Sequence, residues 1–505
     1  MPADVVRRAR SAVAVGVLLL TAACTSSTPP DRPAPPQVRA STGEFTGGTP
    51  AADPDADYVL TGTGPHVEEI NPSFSAQLGD YVVTGTFPTT DNQVESTTDR
   101  MRVSVVNVET GELRWLQIPT SRNKKSVKAD DGSPGGADVS DLCATTYDGE
   151  QVLYGISALP YKGWDVDEYG EFPMLFRLRA DGNEVVYRGE DISTYAGLRG
   201  AAANPALADE YLPMKTGEPV ASAGLVECAS LPNGSLAVAQ YYPREGSRSG
   251  QVVVFDSAGS LVAGVALPDY TAVDGGVVDE MLPRDIVAAP EPIGSQAYIS
   301  VVSDAFAPDG TALPFPVTEI AYDTTDAALT VQAGPFVASA GHRSNRSAYS
   351  TSGDLYVPVT VADPNDEQSV WTSAGVAVYP RSLLDAQQPS SSVEALAPQR
   401  FFGGTGNLSV DVQVLEDAGL VVDVDYRGGV TAYRMSDGQA CAALTPDLPA
   451  ELAASGAQLQ AIVKGTYDAE RDYLWLPMNV TAEDGASVPQ IYGVNTARLA
   501  ATCGT

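Results

Sequence analysis

The sequence predicts an all-β chain built from about seven repeated units, each a small antiparallel sheet. Short runs of Val, Ile, Leu, Tyr and Thr alternate with Gly, Asn and Asp turns along most of the 505 residues. The chain has 47 Gly and 37 Pro, which is typical of a turn-rich protein. One order of strands and turns recurs, with units starting near residues 70, 140, 224, 283, 345, 405 and 459. Helical periodicity is confined to Pro380–Gln388 and Pro449–Val463.

Two consecutive units show the repeat most clearly. Cys143 lies six residues before Gly149 of an Asp-Gly turn, and Cys228 lies six residues before Gly234 of an Asn-Gly turn. A single sheet cannot bury both of its faces, so repeats of ~40–60 residues stack around an axis. The sequence therefore predicts a β-propeller of about seven four-stranded blades over residues 58–505. The alternative is a pair of β-sandwich domains, which rarely repeat one order of turns so often.

One segment resembles a known propeller repeat. Thr110-Gly111-Glu-Leu-Arg-Trp115 is similar to the Thr-Gly-x-x-x-Trp segment of PQQ-like and related WD40-like repeats. In those repeats the Trp docks between blades, so the resemblance implies a core position for Trp115. Other units keep the turn but lack the Trp. The sequence contains no recognisable quinone or metal ligand set, so we predict no cofactor and no metal site.

The first 23 residues have the features of an export signal. Three arginines precede an apolar run at residues 12–20 that is too short to span a bilayer with ease, and Thr21-Ala-Ala-Cys24 follows. This junction resembles the lipobox of bacterial lipoproteins, although that family prefers Leu where Thr21 stands. The resemblance implies a lipid on Cys24 and a position on the extracytoplasmic face of a bacterial cell membrane. Ordinary cleavage after Ala23 is the alternative.

Residues 24–57 are predicted to form a disordered tether. They are rich in Ser, Thr, Pro, Gly and Ala and contain almost no large apolar side chain, so they cannot bury enough apolar surface to fold. Their prolines favour extended conformations. A tether of this kind would hold a folded domain, predicted from residue 58 onward, away from the membrane.

Composition excludes several classes of function. The chain has 64 Asp and Glu against 30 Lys and Arg, a formal net charge of −34, so a nucleic-acid backbone would be repelled. Only two His occur, which excludes a His-rich metal site. The nucleophile motif Gly-x-Ser-x-Gly is missing. Carboxylates are abundant, so a glycosidase-type pair stays open, but the sequence alone does not select two of them.

Four cysteines follow Cys24, and in an exported chain they predict two disulfides with three possible connectivities. Cys143 and Cys228 share a register on innermost strands, which converge near the axis, so we predict that they pair. Pairing of Cys441 with Cys503 is harder for outer strands, and it requires either that the C-terminus folds inward or that the predicted order of strands is shifted by one. Residues 58–62 are predicted to close the ring by pairing with the last unit.

The lengths of the connections predict one elaborated face and one plain face. Middle connections and those between units are mostly long and emerge together, whereas the other turns are tight. Long loops on a rigid scaffold are where binding residues concentrate. The candidate binding residues in these loops are Trp164, Asp165, Asp167, Glu168, Trp371, Lys124, Lys125 and Lys128. The alternatives are that each Trp packs on its own loop and that the lysines are simply solvated.

These observations predict a lipid-anchored extracytoplasmic propeller that binds an envelope protein or glycan through its long-loop face. No catalytic residue is predicted, and the chain is more plausibly not an enzyme. The alternative is a propeller-type hydrolase or lyase that uses loop carboxylates. Two acids facing each other in a deep axial pocket would favour the enzyme, because fold alone does not decide function.

Overall fold

The computed structural model describes most of the chain from residue 72 onward and two short strands before it. The described residues are 42–46, 58–63, 72–86, 100–119, 139–157, 173–182, 184–212, 224–241, 250–273, 275–338, 346–362, 371–403, 408–426, 428–444, 458–461, 464–481 and 487–505. Within them, no helix is long and apolar enough to cross a membrane.

The first half of the chain forms strands β1–β15. Two strands precede the first repeat, β1 (Thr42–Thr46) and β2 (Tyr58–Thr63). The first repeat contains β3 (Pro72–Leu78), β4 (Tyr81–Thr86), β5 (Arg100–Asn107) and β6 (Glu112–Pro119). The second contains β7 (Val139–Tyr147), β8 (Glu150–Ser157), β9 (Pro173–Asp181), β10 (Glu184–Val186) and β11 (Ile192–Thr194). The third contains β12 (Gly224–Ser230), β13 (Leu236–Tyr241), β14 (Gln251–Phe255) and β15 (Leu261–Ala266).

The second half forms strands β16–β35. Next come β16 (Ala272–Val273), β17 (Gly276–Val277), β18 (Glu280–Ala288), β19 (Gln296–Phe306), β20 (Ala312–Leu313), β21 (Pro316–Asp323) and β22 (Ala328–Ala338). They are followed by β23 (Ala348–Tyr349), β24 (Leu355–Ala362), β25 (Trp371–Tyr379), β26 (Pro389–Leu396) and β27 (Arg400–Gly403). The last are β28 (Ser409–Leu415), β29 (Leu420–Asp425), β30 (Val430–Arg434), β31 (Ala440–Leu444), β32 (Gln458–Ala461), β33 (Thr466–Asp468), β34 (Tyr473–Thr481) and β35 (Ser487–Asn495).

These strands form a six-bladed β-propeller, which confirms the predicted fold class. Each sheet contains an up-and-down antiparallel run such as β12-β13-β14-β15. The first strands of neighbouring sheets lie side by side, β3 beside β7, β7 beside β12 and β12 beside β18, so they line the axis. The predicted count of about seven is corrected to six sheets. The reason is that β1 and β2 join the last repeat to the first in one ten-stranded sheet.

The ring is closed near the N-terminus, as predicted. Strand β2 pairs antiparallel with β35, with Tyr58 opposite Gly493 and Thr61 opposite Gln490. Strand β1 falls inside the predicted tether and corrects its extent, since residues 42–46 pair with both β2 and β6. The segment contains Thr and Phe, which favour strands, and it lies between two strand edges that would otherwise lack partners. The rest of the predicted tether lies outside the described residues.

Helices are short and lie between or after strands. They are α1 (Tyr195–Gly200), α2 (Pro205–Tyr211), α3 (Arg381–Leu384) and α4 (Thr496–Cys503). The helix predicted in Pro380–Gln388 is confirmed as α3. The helix predicted in Pro449–Val463 is wrong at residues 458–461, which form a strand paired with β34. The other residues of that prediction lie outside the described part of the chain.

The core lies between the faces of neighbouring sheets. One apolar cluster joins the first three repeats and includes Leu116, Phe176 and Phe255, each at most 3% exposed. Tight turns hold the strands in register, and Gly149 and Gly234 take φ values of 79° and 81° in the predicted Asp-Gly and Asn-Gly turns. A side chain at Gly234 would also crowd the Thr146 carbonyl of the neighbouring repeat, with 3.2 Å left for a Cβ atom.

Candidate functional site

The loop residues predicted from sequence are not tested by the structure. Cys24, Lys124, Lys125, Lys128, Trp164, Asp165, Asp167 and Glu168 lie outside the described residues. Trp371 is described in its backbone alone, at the start of β25 opposite Ala362. The backbone of Trp115 lies in β6, and its side chain is outside the described part. The binding roles of the loop residues stay predictions.

Both predicted disulfides are present. Cys143 on β7 and Cys228 on β12 pair across neighbouring first strands, with Cα atoms 6.1 Å apart. Cys441 on β31 pairs with Cys503 at the end of α4, with Cα atoms 5.0 Å apart. Helix α4 packs against the cluster that contains β28–β31, so the C-terminus does fold inward as this pairing requires.

Charged side chains from all six sheets meet at the axis, and sequence reasoning did not single them out. The four acids come from first strands, and each of the two cations comes from a position two residues before a first strand. They are Asp141, Glu227, Asp285, Arg346, Asp411 and Lys464, which we call the axial ring. A register shift precedes each of the four acids. Such bulges bend a strand locally and redirect a side chain, which explains how charges enter an apolar strand.

Lys464 and Asp141 form the closest ion pair of the ring. The Lys464 ammonium donates to both carboxylate oxygens of Asp141, at 2.9 and 2.8 Å, and to the carbonyl of Leu142 at 3.1 Å. Asp141 also accepts the backbone N–H of Cys228 at 3.0 Å, which joins the pair to the disulfide. Burial and the charge of Arg346 lower the pKa of Lys464, and Asp141 opposes this shift.

Arg346 and Asp411 form a second, longer pair. The Nε atom of Arg346 lies 3.8 Å from an oxygen of Asp411. The other Asp411 oxygen accepts the backbone N–H of Gly465 at 2.8 Å and the amide of Gln413 at 2.7 Å. Burial raises the pKa of Asp411, while Arg346 opposes the rise. This pair connects the sheet of β28–β31 to its two neighbours.

Glu227 and Asp285 form the part of the ring that lacks a paired cation. Their carboxyl groups lie within hydrogen-bonding reach of each other, and Asp285 accepts the backbone N–H of Ser347 at 2.6 Å. Burial raises the pKa of Asp285 to about 6, and the charge of Arg346 opposes this rise. Burial also raises the pKa of Glu227 well above its ordinary value, and the charges of Asp285 and Asp141 add to the rise.

Several buried atoms in the axial ring and beside it have no hydrogen-bond partner among the described residues. They are Glu227 Oε2, Asp285 Oδ1, Asp411 Oδ1, Arg346 Nη1 and Ser347 Oγ. Buried polar atoms in proteins are normally satisfied, so a cluster of such atoms at one place marks a position for water or a ligand. The ring therefore has the chemistry of a small polar site enclosed by the blades.

One group of potential metal ligands is not a metal site in this state. Ligand atoms of Asp141, Cys143 and Cys228 lie within 4.8 Å of one another. Both sulfur atoms are part of the disulfide, so neither is a thiolate, which is the form that binds metal. Among the described residues, no other group of three His, Cys, Asp or Glu ligands is this compact.

The axial ring lies near the end of the propeller that carries the long connections. Antiparallel order places the start of each first and third strand at one end, together with the ends of the second and fourth strands. Residues 87–99 and 158–172 join strands at this end, thirteen and fifteen residues long, whereas β3–β4 and β7–β8 are joined at the other end by two residues each. We call the first end the loop end and the second the turn end.

A signal for the axial ring was present in the sequence. Asp141 and Asp411 each lie eight residues before the glycine of the first tight turn, and Glu227 and Arg346 lie seven residues before theirs. A charge at this position in one unit is unremarkable. Its recurrence in strands that are otherwise apolar is the pattern that would have identified the ring.

No protein-family model and no curated protein matches this sequence. Solved structures of similar fold include the WD40 domain of Neurospora crassa Pan2, at 9% identity and a TM-score of 0.38, covering 85% of this chain and 91% of that one. The Dos1 propeller is 13% identical, with a TM-score of 0.39 and coverage of 86% and 88%. The polysaccharide lyase Uly1 is 8% identical, with a TM-score of 0.47 and coverage of 84% and 90%. At such identities the likeness concerns the fold alone, and the strand topology defines the protein as a β-propeller.

Proposed function

We propose that the protein is a lipid-anchored extracytoplasmic β-propeller that binds an envelope protein or glycan through its loop end, without catalysis. The observation that carries this proposal is the difference between the two ends. The pairs β3–β4 and β7–β8 are joined at the turn end by two residues each, whereas residues 87–99 and 158–172 make connections of thirteen and fifteen residues at the loop end. Long connections on a rigid scaffold are suited to recognition.

The scaffold is rigid for reasons that can be named. Two disulfides cross-link elements far apart in sequence, separated by 85 and 62 residues. Strand β2 closes the ring by pairing with β35. Buried ion pairs at the axis connect neighbouring sheets. A closed and cross-linked ring loses little freedom on binding, which favours affinity.

Removing the Cys24 thiol tests the anchoring part of the proposal. We expect Cys24→Ala to abolish labelling by a palmitate analogue and to move the protein from the membrane fraction to the aqueous phase, because stable anchoring requires acyl chains. The Cys441→Ser/Cys503→Ser variant is the matched control, since it removes two other cysteines and should keep the label. An unlabelled wild-type protein in the aqueous phase would exclude lipid anchoring.

A hydrolase or lyase is the second candidate, and the adjacent acids Glu227 and Asp285 are the observation that favours it. Their carboxyl groups lie within hydrogen-bonding reach of each other. Glycosidases instead separate their two carboxyl groups by roughly 5–9.5 Å to accommodate the sugar or a water. A pair in direct hydrogen-bonding reach is closer than this, which is better suited to sharing a proton than to glycoside hydrolysis. Assay of the wild type and of the Glu227→Gln variant on envelope glycans tests this candidate. It requires that the wild type cleaves a glycan and that the variant does not.

A further inference from the structure

The axial ring has an excess of two carboxylates over its cations. It contains four acids and two bases. Lys464 pairs with Asp141 at 2.8 Å and Arg346 with Asp411 at 3.8 Å. Among the described residues, no cation forms an ion pair with Glu227 or Asp285, although the charge of Arg346 acts on both. A buried carboxylate without a partner is strongly unfavourable, so each of these acids either takes up a proton, which its raised pKa favours, or lies beside a bound cation.

Oxygen atoms without a hydrogen-bond partner indicate where a cation would bind. Glu227 Oε2 and Asp285 Oδ1 are both buried, and neither has a hydrogen-bond partner of good geometry among the described residues. Asp285 is 2% exposed, and its other oxygen is already held by the backbone N–H of Ser347. The hydroxyl oxygen of Ser347 is also buried and unpartnered. These three oxygen atoms come from three neighbouring sheets at the axis.

We propose that this part of the axial ring binds a hydrated divalent cation, Ca²⁺ or Mg²⁺, through Glu227 and Asp285. Carboxylate and hydroxyl oxygens are the ligands these hard cations prefer. A double positive charge matches the two uncompensated carboxylates. The described residues supply no compact set of three carboxylates here, so water completes the coordination, as is usual for Mg²⁺ held by one or two carboxylates. The ion would join the sheets of β12 and β18 beneath the loop end.

Metal uptake by the full-length protein purified in detergent tests the proposal. After treatment with a chelator and removal of the chelator, we expect CaCl₂ or MgCl₂ to raise the Tm saturably, by about 3 °C or more when the cation is at ~100-fold its Kd. Elemental analysis after dialysis should find one retained ion per chain. Glu227→Gln/Asp285→Asn should lose both the Tm shift and the retained ion.

The control is Asp423→Asn, which neutralises a buried acid that bonds to Ser409 on β28 and lies outside the axial ring. It should keep both the retained ion and the Tm shift. Equal uptake by the wild type and by Glu227→Gln/Asp285→Asn would assign binding to surface acids and overturn the proposal. A wild-type Tm that is unchanged by either cation, with no ion retained, would overturn it in favour of a shared proton. Should the double variant not fold, Glu227→Gln alone serves the same comparison.

Discussion

Replacing Lys464 with methionine is expected to lower the free energy of unfolding by about 3–5 kcal/mol. The ammonium of Lys464 is the cation paired with Asp141, and both side chains are buried, at 8% and 2% exposure. Methionine would keep much of the volume but leave the carboxylate without a counter-charge at the axis. Chemical denaturation followed by Trp fluorescence measures the effect.

Two further variants separate charge from packing in this prediction. Asp141→Asn/Lys464→Met removes both charges and should recover a large part of the lost stability, because the uncompensated carboxylate is gone. Glu184→Gln breaks an ion pair with Arg114. The Glu184 side chain is 60% exposed, so this variant should lose less than ~1 kcal/mol of stability. If Lys464→Met costs no more than Glu184→Gln, the axial pair does not hold the ring together.

Replacing Arg381 with methionine is expected to cost a similar amount, about 3–5 kcal/mol. Arg381 at the start of α3 donates from both terminal nitrogens to the two oxygens of Glu319 on β21, at 2.7 and 2.5 Å. Glu319 is fully buried and also accepts the hydroxyl of Tyr349 at 2.8 Å. Without Arg381, a carboxylate between two blades would retain only the Tyr349 hydroxyl. Chemical denaturation again reports the loss.

The same arginine provides its own control. Its Nε atom also pairs with Asp385, whose side chain is 50% exposed, so Asp385→Asn should change stability by less than ~1 kcal/mol. The loss of stability caused by Arg381→Lys should fall between those of Asp385→Asn and Arg381→Met, because an ammonium cannot reproduce the two parallel hydrogen bonds of a guanidinium. Equal costs for Arg381→Met and Asp385→Asn would show that the Glu319 pair is not important for joining these blades.

Local patterns were sufficient to predict much of the fold. Tight turns with Gly at positive φ, such as those at Gly149 and Gly234, are determined by a few neighbouring residues and were identified correctly. The shared register of Cys143 and Cys228 was enough to predict their disulfide. The closure of the ring followed from the need of the last sheet for another strand, and β2 supplies it.

Other features depend on contacts between distant parts of the chain and were missed. Strand β1 pairs with β2 and β6, and its composition alone resembles a tether. Strand β26 leaves its own repeat to pair in parallel with β22 of the preceding blade. The axial ring forms only when six sheets converge, so no single stretch of sequence reveals that its charges meet. Helices α1, α2 and α4 were missed although their signals were local, since Thr194, Asn204 and Asn495 cap them.

The proposed binding end is tested most directly by photo-crosslinking in intact cells. A photoreactive amino acid at Thr311 or Tyr426 would stand at exposed positions of the loop end, and at Asn233 or Asp417 it would stand at exposed positions of the turn end. We expect crosslinked envelope protein or glycan from the loop-end positions and none from the turn-end positions. Adducts that form only at Asn233 and Asp417, or equally at both ends, would contradict recognition through the loop end.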